Sequence, residues 1–216
     1  MTETAANLAD VLAEHGIDLP AEQVEQLDQY RRLLWEWNER MNLTRHTTLE
    51  KFVSRDVVDS LQLAEHLENG QRVLDLGTGG GVPGLVLAIC RPDLRVSVCD
   101  STQKKAQAVE QMVQQLGLPV SVYACRVDEV LQLQTFDTIV ARAVAPMAKM
   151  LTWLEPYWDA FDQLLLIKGQ AWVAERGEAR HRGLMRPLQL RKIADYETRG
   201  NDHPSVVLRV WPKENP

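Results

Sequence analysis

From Arg72 to Lys168 the chain alternates between short apolar runs and stretches with helical spacing, and this alternation limits the possible folds more than any other feature of the sequence. Strands that alternate with helices form a parallel sheet covered on both faces. We therefore predict an α/β fold. The predicted strands are Val73 to Leu76, Val96 to Cys99, Ser121 to Ala124, Thr138 to Ala141 and Leu164 to Lys168, and the predicted helices are Gly84 to Cys90, Gln103 to Leu116 and Met147 to Trp153.

Helical spacing also precedes Arg72, where two helices are predicted from Ala5 to His15 and from Ala21 to Arg40. A third helix is predicted from Leu49 to Leu67, and the Asn69-Gly70 pair closes it. We expect residues 1–69 to form an N-terminal helical extension packed on a core domain of residues 70–216, the two making a single compact unit.

The C-terminal segment departs from the alternation. Two strand-like runs, Gln189 to Glu197 and Ser205 to Trp211, are joined by a short segment rich in turn-forming residues, which predicts an antiparallel hairpin. With the five parallel strands, the hairpin gives a mostly parallel sheet of seven strands.

The composition is that of an ordinary globular protein. The chain has 216 residues, of which 45% are hydrophobic and 25% charged, and this balance excludes intrinsic disorder, collagen and a disulfide miniprotein. Because the net charge is -6, a polyanionic partner must be met by a local basic patch.

Two further features bear on the compartment. Cys90, Cys99 and Cys125 form no C-x-x-C pair and lie among apolar residues, which favours reduced thiols over a disulfide or a zinc site. The first residues have no basic and apolar leader, and no apolar run approaches the roughly 20 residues of a membrane span. We expect a cytoplasmic protein with no membrane anchor.

The glycine-rich loop after the first predicted strand is the most informative motif for function. In the run from Val73 to Gly84, the glycines let a ligand approach the backbone. Three of them fit the G-x-G-x-x-G of dinucleotide sites, whereas Asp75-x-Gly77-x-Gly79-x-Gly81 is typical of an S-adenosylmethionine loop and is the better match. Asp75 can orient the loop or meet the ammonium group of the ligand through water. A purely structural junction is the alternative.

Polar residues follow the next predicted strands at the same edge of the sheet. Asp100 can accept hydrogen bonds from the ribose hydroxyls of either cofactor, or it can cap the next helix. The third strand leads into Cys125 to Glu129, where backbone amides and an acid can recognise an adenine ring. Arg142 ends the fourth strand, and we assign it to the site rather than to a surface ion pair.

Taken together, these residues resemble one family, the bacterial small-subunit rRNA guanine-N7 methyltransferases, also called glucose-inhibited division protein B. The loop pattern G-T-G-x-G-x-P-G followed by D-S is far more specific than a generic methyltransferase loop. Matching segments span most of the chain in the family's order: Trp37-Asn38, Met41 to Thr44, Asp59 to Leu61, Asp75 to Gly84, Arg91-Pro92, Asp100-Ser101 with Lys104, Arg126 to Asp128, Phe136-Asp137, Arg142-Ala143 and Leu166 to Gly169.

The resemblance implies a Rossmann-like class I methyltransferase fold with S-adenosylmethionine as methyl donor. The implied acceptor is N7 of guanine 527, in the conventional numbering of 16S rRNA. Carried over position by position, the cofactor contacts are Gly77, Gly79 and Val82 in the loop, Asp100 for the ribose, the pair Val127 and Asp128, and Arg142.

The sequence departs from the family pattern at a few positions. Relatives usually have Arg-His before the x-x-Asp-Ser run, whereas this chain has Arg55-Asp56, so a role for that histidine cannot be transferred. The Lys-Arg pair of the family is Lys104-Lys105 here. Lysine keeps the charge but loses bidentate geometry, which changes the detail of an RNA contact.

The implied reaction needs no acid or base. Guanine N7 carries an in-plane lone pair at neutral pH, so catalysis is expected to come from near-attack geometry and exclusion of water. The five histidines are scattered without metal-ligand spacing, and we expect no metal.

The segment from Lys168 to Lys192 contains seven basic and two acidic residues, and we predict that it forms a phosphate-binding face. A solvated charged helix is the alternative. Trp35, Trp37 and Trp153 are assigned to packing. The RNA-binding candidates are Arg142, Lys168, Lys104, Lys105, Arg180 and Arg182.

The sequence leaves three alternatives open. The chain can be a class I methyltransferase with another substrate, a module that binds S-adenosylmethionine without chemistry, or a dinucleotide-dependent dehydrogenase. For the favoured function, the expected partner is 16S rRNA or the small ribosomal subunit, and the expected state is a monomer.

Overall fold

The computed structural model describes residues 7–200 and 203–213. Its strands are β1 Arg72–Leu76, β2 Arg95–Cys99, β3 Ser121–Tyr123, β4 Phe136–Arg142, β5 Phe161–Lys168, β6 Leu188–Tyr196 and β7 Ser205–Pro212. They form one sheet in the order β3-β2-β1-β4-β5-β7-β6. Strands β1 to β5 pair in parallel, and β7 is antiparallel to both of its neighbours. The predicted mostly parallel sheet with a terminal hairpin is confirmed.

Helices cover the sheet and precede it. They are α1 Leu8–Glu14, α2 Ala21–Asn38, α3 Leu49–Lys51, α4 Val58–Ala64, α5 Gly84–Cys90, α6 Gln103–Leu116, α7 Val127–Leu131, α8 Met147–Leu154 and α9 Trp172–His181. Helices α5 and α6 have the predicted bounds. The beginning of the predicted first helix, Ala5 and Ala6, lies outside the described residues.

The sequence does not predict helix α7, and it gives α9 only as the alternative of a solvated charged helix between Lys168 and Lys192. Helix α7 has only five residues, too few to show a helical period. Helix α9 has one buried residue, Ala179, because most of its surface is polar and charged. Its sequence therefore lacks the apolar stripe by which an amphipathic helix is recognised.

The predicted third helix contains a wider turn. A π-helical segment, Phe52–Val57, joins α3 to α4, and five of its six residues are buried. The helix ends at Ala64 rather than at the predicted Leu67, and Arg91 donates hydrogen bonds to the carbonyl oxygens of both residues. The buried positions include Asp56, which the site below uses.

Two hydrophobic clusters lie on the two faces of the sheet. One contains Leu27 and Leu34 of α2 together with Leu85 and Val86 of α5, so the helical extension shares a core with the sheet. The predicted division of the chain at residue 70 within a single unit stays a prediction. In the described part of the chain, no helix has the length and apolar character to cross a bilayer.

Candidate functional site

The sheet has its switch point at β1, because the chain crosses from β3 on one side to β4 on the other. Ligands of open α/β sheets bind at the carboxyl ends of the strands at such a point. A cavity of about 450 Å³ lies there. It is lined by all seven predicted cofactor residues: Gly77, Gly79, Val82, Asp100, Val127, Asp128 and Arg142.

Asp75, near the end of β1, orients the glycine loop through hydrogen bonds. Its carboxylate is fully buried and accepts hydrogen bonds from Thr78 Oγ1 at 2.6 Å and from the Gly84 amide at 2.8 Å. Burial raises the pKa of Asp75 from 3.8 to about 6, against the lowering effect of these hydrogen bonds. Of the two roles considered for Asp75, the structure supports the orienting one.

At Gly77 and Gly80 the loop packs so closely that a side chain would not fit. A Cβ atom on Gly77 would lie 2.7 Å from Val144 Cγ1, and Gly77 has a φ of +69°. A Cβ atom on Gly80 would lie 2.7 Å from Leu34 Cδ1. The loop is therefore held between the helical extension and the segment that follows β4, and its backbone forms one wall of the cavity.

Asp100 connects the end of β2 to the glycine loop. One carboxylate oxygen accepts from the Gly79 amide at 3.0 Å, and the other accepts from the Thr102 amide at 2.8 Å. Thr102, and not Asp100, is the residue at the N-cap of α6. Each oxygen of Asp100 keeps a further lone pair with which to accept a ribose hydroxyl.

Arg142 is part of a buried ion-pair network. Its Nη2 lies 2.7 Å from Asp56 Oδ1, and its Nη1 lies 3.2 Å from Asp59 Oδ2. Both carboxylates belong to the helical extension and are fully buried. Arg142 therefore lines the cavity, as predicted, and it also forms ion pairs, which are buried rather than at the surface.

Two more side chains complete this network. His46 Nδ1 lies 2.8 Å from the same Asp56 oxygen that Arg142 contacts. The Tyr196 hydroxyl donates to Asp59 Oδ1 at 2.7 Å, and burial followed by the Asp59 charge raises the Tyr196 pKa well above its usual value. The sequence analysis gives neither His46 nor Tyr196 a role in the site. No local pattern joins Tyr196 to Asp59, which lies 137 positions away.

The residue after Arg142 has an unusual backbone. Ala143 has a φ of +54°, a positive value that no other non-glycine residue in the described ranges has. Such conformations cluster at functional sites, where the surrounding structure stabilises them. Ala143 and Val144 both line the cavity.

The wall opposite the loop is formed by the start of α7. Arg126 Nε lies 2.9 Å from Asp128 Oδ1, and the hydrogen bond from Arg126 lowers the pKa of Asp128. Asp128 therefore presents an ionised carboxylate beside the predicted adenine position. Trp153, which the sequence analysis assigns to packing, packs against the cluster on the other face of the sheet, which includes Met150 and Leu151, and it also lines the cavity.

The RNA-binding candidates do not lie together. Lys105 lines the cavity, and Lys104 is exposed beside it. Lys168 donates to the Ala145 carbonyl and pairs with Glu175, both at 2.8 Å, so it fixes the segment that follows β4.

Arg180 and Arg182 lie at the opposite edge of the sheet. Helix α9 starts beyond the carboxyl end of β5 and runs back toward the start of β6, where Arg180 lines the same depression as Leu188. Leu188 pairs with Pro212 at the far end of β7. The predicted basic face is therefore divided between two edges of the sheet, and the role of these arginines in RNA binding stays a prediction.

The cysteines are free thiols, with Cys99 buried and Cys90 and Cys125 half-buried. Within residues 7–200 and 203–213, no three His, Cys, Asp or Glu side chains form a group that could hold a metal ion.

Comparison with known proteins identifies the family. A model of the family described as rRNA small subunit methyltransferase G matches residues 23–199. The ribosomal RNA small subunit methyltransferase G of Rhodopirellula baltica is 48% identical over 191 residues, which is 88% of this chain and 83% of the relative. The protein of the same name from Chromobacterium violaceum is 43% identical over 152 residues, 70% of this chain and 73% of the relative.

Solved structures agree on the fold. The structure of M. capricolum TrmK in complex with S-adenosyl-homocysteine superimposes with a TM-score of 0.56 at 14% identity, covering 72% of this chain and 68% of TrmK. The class I methyltransferase fold expected from the sequence is confirmed. The chain belongs to the rRNA small subunit methyltransferase G family.

Proposed function

We propose that this protein transfers a methyl group from S-adenosylmethionine to N7 of a guanine, guanine 527, in 16S rRNA of the small ribosomal subunit. The observation that carries the proposal is the single cavity at the switch point, which collects the seven residues matched to the family's cofactor contacts. The alternatives of another substrate, binding without chemistry, or a dinucleotide cofactor are distinguished by the experiment below.

The residues present fit the proposed cofactor. Gly77 and Gly79 leave the loop backbone open, Asp100 offers acceptors for ribose hydroxyls, and Asp128 offers one for the adenine amino group. When bound, S-adenosylmethionine supplies a methyl group on a positively charged sulfur. Arg142 closes the floor of the cavity, with its charge balanced by Asp56 and Asp59.

The acceptor end of the cavity is formed by the helical extension and the segment after β4. Leu34, Leu43 and Val144 supply apolar surface there, which excludes water from the reacting atoms. The fixed conformation at Ala143, held between Arg142 and the loop, positions this surface. Since guanine N7 has a free lone pair, no side chain is required to remove a proton, and the protein acts by orientation.

Two smaller parts of the proposal concern the oligomeric state and the location of the protein. The cavity is formed by residues of one chain, so a monomer contains the whole site. A protein that methylates ribosomal RNA in bacteria works in the cytoplasm, where that RNA is located.

The test uses 16S rRNA and small subunits from a strain that lacks the gene. Incubation with labelled donor, followed by mapping of the methylated base, is expected to give one product, 7-methylguanine at position 527. Label at another nucleotide or on another molecule would assign a different substrate. Calorimetric titration with S-adenosylmethionine and NAD distinguishes the cofactors, and donor binding without label transfer would indicate a non-catalytic module.

A further inference from the structure

A second depression lies beside the cavity, between the end of α2 and the exposed face of α6. Its volume is about 510 Å³. We call it the α2–α6 groove and define it by its lining residues, Trp37, Met41, Lys104, Gln107, Ala108, Glu110 and Gln111. We propose that this groove binds the nucleotide next to the target guanine in a single-stranded RNA segment. The inference rests on the function proposed above.

The groove and the cavity share a rim. Lys104 lines the groove, whereas its chain neighbour Lys105 lines the cavity. The segment that follows α2 also contributes to both, because Met41 lines the groove and Leu43 lines the cavity. An RNA strand that crosses this rim with one base in the cavity therefore places an adjacent nucleotide in the groove.

Trp37 differs from its neighbour Trp35 in how its indole is used. The indole N–H of Trp35 donates to the His46 carbonyl at 2.9 Å and so fixes the turn after α2. Trp37 is half-buried and packs in part against the first hydrophobic cluster, as the sequence analysis assigns it, and its N–H has no acceptor among the described residues. The Arg40 guanidinium lies 5.4 Å from the centre of the Trp37 ring. An indole beside a cation, in an accessible groove, is a stacking surface for a base.

Helix α6 supplies the polar half of the groove. Lys104, Gln107 and Gln111 follow one another at spacings of three and four residues, so they lie on one face of the helix. All three are exposed, as is the Glu110 carboxylate that also lines the groove, and Lys104 has no carboxylate within 4.0 Å in the described part of the chain. The ammonium group can contact a phosphate, and the two amides can donate to and accept from a base edge.

The lining favours a single-stranded nucleotide over a protein partner or a duplex. Four of its seven residues are polar or charged, which leaves too little continuous apolar surface for a docked helix. In an RNA duplex the faces of the bases are covered by neighbouring bases, so Trp37 in the α2–α6 groove could not stack on them. A splayed nucleotide offers both a flat face for Trp37 and a phosphate for Lys104.

The test compares substitutions in the groove with a matched tryptophan elsewhere. Trp37→Leu is expected to weaken binding of a 16S rRNA fragment containing the unmethylated target loop by about 5- to 150-fold, the effect of removing the stacking of one base. Trp37→Phe should recover most of the affinity. The Kd for S-adenosylmethionine should stay within about two-fold of the parent value in both. The control is Trp211→Leu, because Trp211 also has an arginine over its ring, at 5.0 Å, but lies on β7 at the opposite edge of the sheet.

Two further measurements do not depend on the stability of the tryptophan variants. Lys104→Gln combined with Gln107→Ala changes only exposed side chains, and it should raise the KM for RNA. RNA carrying a photoreactive base on either side of the target should crosslink to the segment from Lys104 to Gln111.

The outcomes separate this inference from the function on which it rests. Absence of label transfer to RNA by the parent protein would contradict the function. Normal transfer by the parent, with parental RNA affinity in Trp37→Leu, would overturn the groove assignment alone. A weaker salt dependence in the Lys104 variant with no effect of Trp37→Leu would reduce the groove to a phosphate contact and would also overturn the proposal.

Discussion

Arg142 Nη2 and Asp56 Oδ1 lie 2.7 Å apart in the interior of the protein, and the same carboxylate oxygen lies 2.8 Å from His46 Nδ1. Arg142 ends β4, whereas Asp56 and His46 belong to the helical extension. The extension is thus attached to the floor of the cavity by charge as well as by the shared core. The second oxygen of Asp56 is buried and has no partner among the described groups.

Removal of the Asp56 carboxylate should be strongly destabilising. Asp56→Ala leaves the charge of Arg142 less compensated, and breaking a buried pair in this way costs about 3 to 5 kcal/mol of the free energy of unfolding. Urea denaturation measures this loss. Glu36→Ala is the control, because Glu36 and its partner Arg40 are 59% and 62% exposed and should contribute less than about 1 kcal/mol. Equal losses in the two variants would contradict the importance of burial.

Gly77→Ala should impair donor binding through Val144. The new methyl group would meet Val144, which lines the cavity, and we expect the Kd for S-adenosylmethionine to rise at least about tenfold. Gly117→Ala is the control, because Gly117 has a similar positive φ of +62°, has nothing within 4 Å of an added Cβ and does not line the cavity. It should cost only about 1 kcal/mol of backbone strain and leave the donor Kd unchanged. Adding Val144→Ala to Gly77→Ala should recover most of the donor affinity, and failure to do so would assign the effect to the backbone alone.

Asp75 should make the folded protein less stable as the pH rises, which is opposite to the usual effect of a carboxylate in an ion pair. Its pKa is raised to about 6 by burial, whereas in the unfolded chain it is about 3.9. Between these values the folded state binds more protons, so this group's contribution to stability is complete below pH 4 and is lost as the pH rises through 6. The stability of the parent relative to Asp75→Asn should fall by roughly 2 to 3 kcal/mol from pH 4 to pH 7. A constant or rising difference in urea denaturation would refute the raised pKa.

The parts of the site that the sequence predicted are those with local signals. A strand, a glycine loop and a polar residue at the next strand end occur within 30 residues, and the order of parallel strands then brings them to one edge. The part that it could not predict is held by contacts between distant segments. The approach of Asp56 to Arg142, and of Tyr196 to Asp59, depends on how the extension and the hairpin pack against the sheet.

The position of the basic residues on the surface could not be predicted from the sequence either. The excess of basic residues between Lys168 and Lys192 is a property of the sequence, but the segment crosses the whole height of the sheet. Lys168 therefore ends in an ion pair near the cavity, while Arg180 and Arg182 lie at the far edge. Local composition predicts that cations are present but does not tell which of them share a face.

Two double substitutions test which edge of the sheet faces the RNA. Lys104→Glu with Lys105→Glu should weaken RNA binding, and the slope of log affinity against log salt should become shallower by about 1 for each phosphate that is no longer neutralised. Arg180→Glu with Arg182→Glu should weaken binding less, since these residues are reached only by RNA that extends around the molecule. The Kd for S-adenosylmethionine should hardly change in the arginine variant. A larger effect of the arginine pair would place the main RNA-binding surface at the edge opposite the cavity.

The pH dependence of methyl transfer tests the acceptor atom. Guanine N7 is unprotonated near neutral pH, so no base is needed, and the single-turnover rate at saturating RNA should be nearly flat from about pH 6.5 to 8.5. The groups around the cavity agree with this expectation. Burial raises the pKa of Cys99 to about 12 and also raises that of Cys125, so both thiols stay protonated. Asp75 is mostly ionised throughout this range.

No histidine in the described ranges lines the cavity, and His46 reaches it only through Asp56 and Arg142. Methylation of an exocyclic amine or of ring N1 requires removal of a proton, and its rate would fall on the acid side as the base becomes protonated. A rate that climbs tenfold per pH unit from pH 6.5 would therefore indicate a required base and a different acceptor atom. In that case the guanine N7 assignment would be wrong, even if the cofactor assignment held.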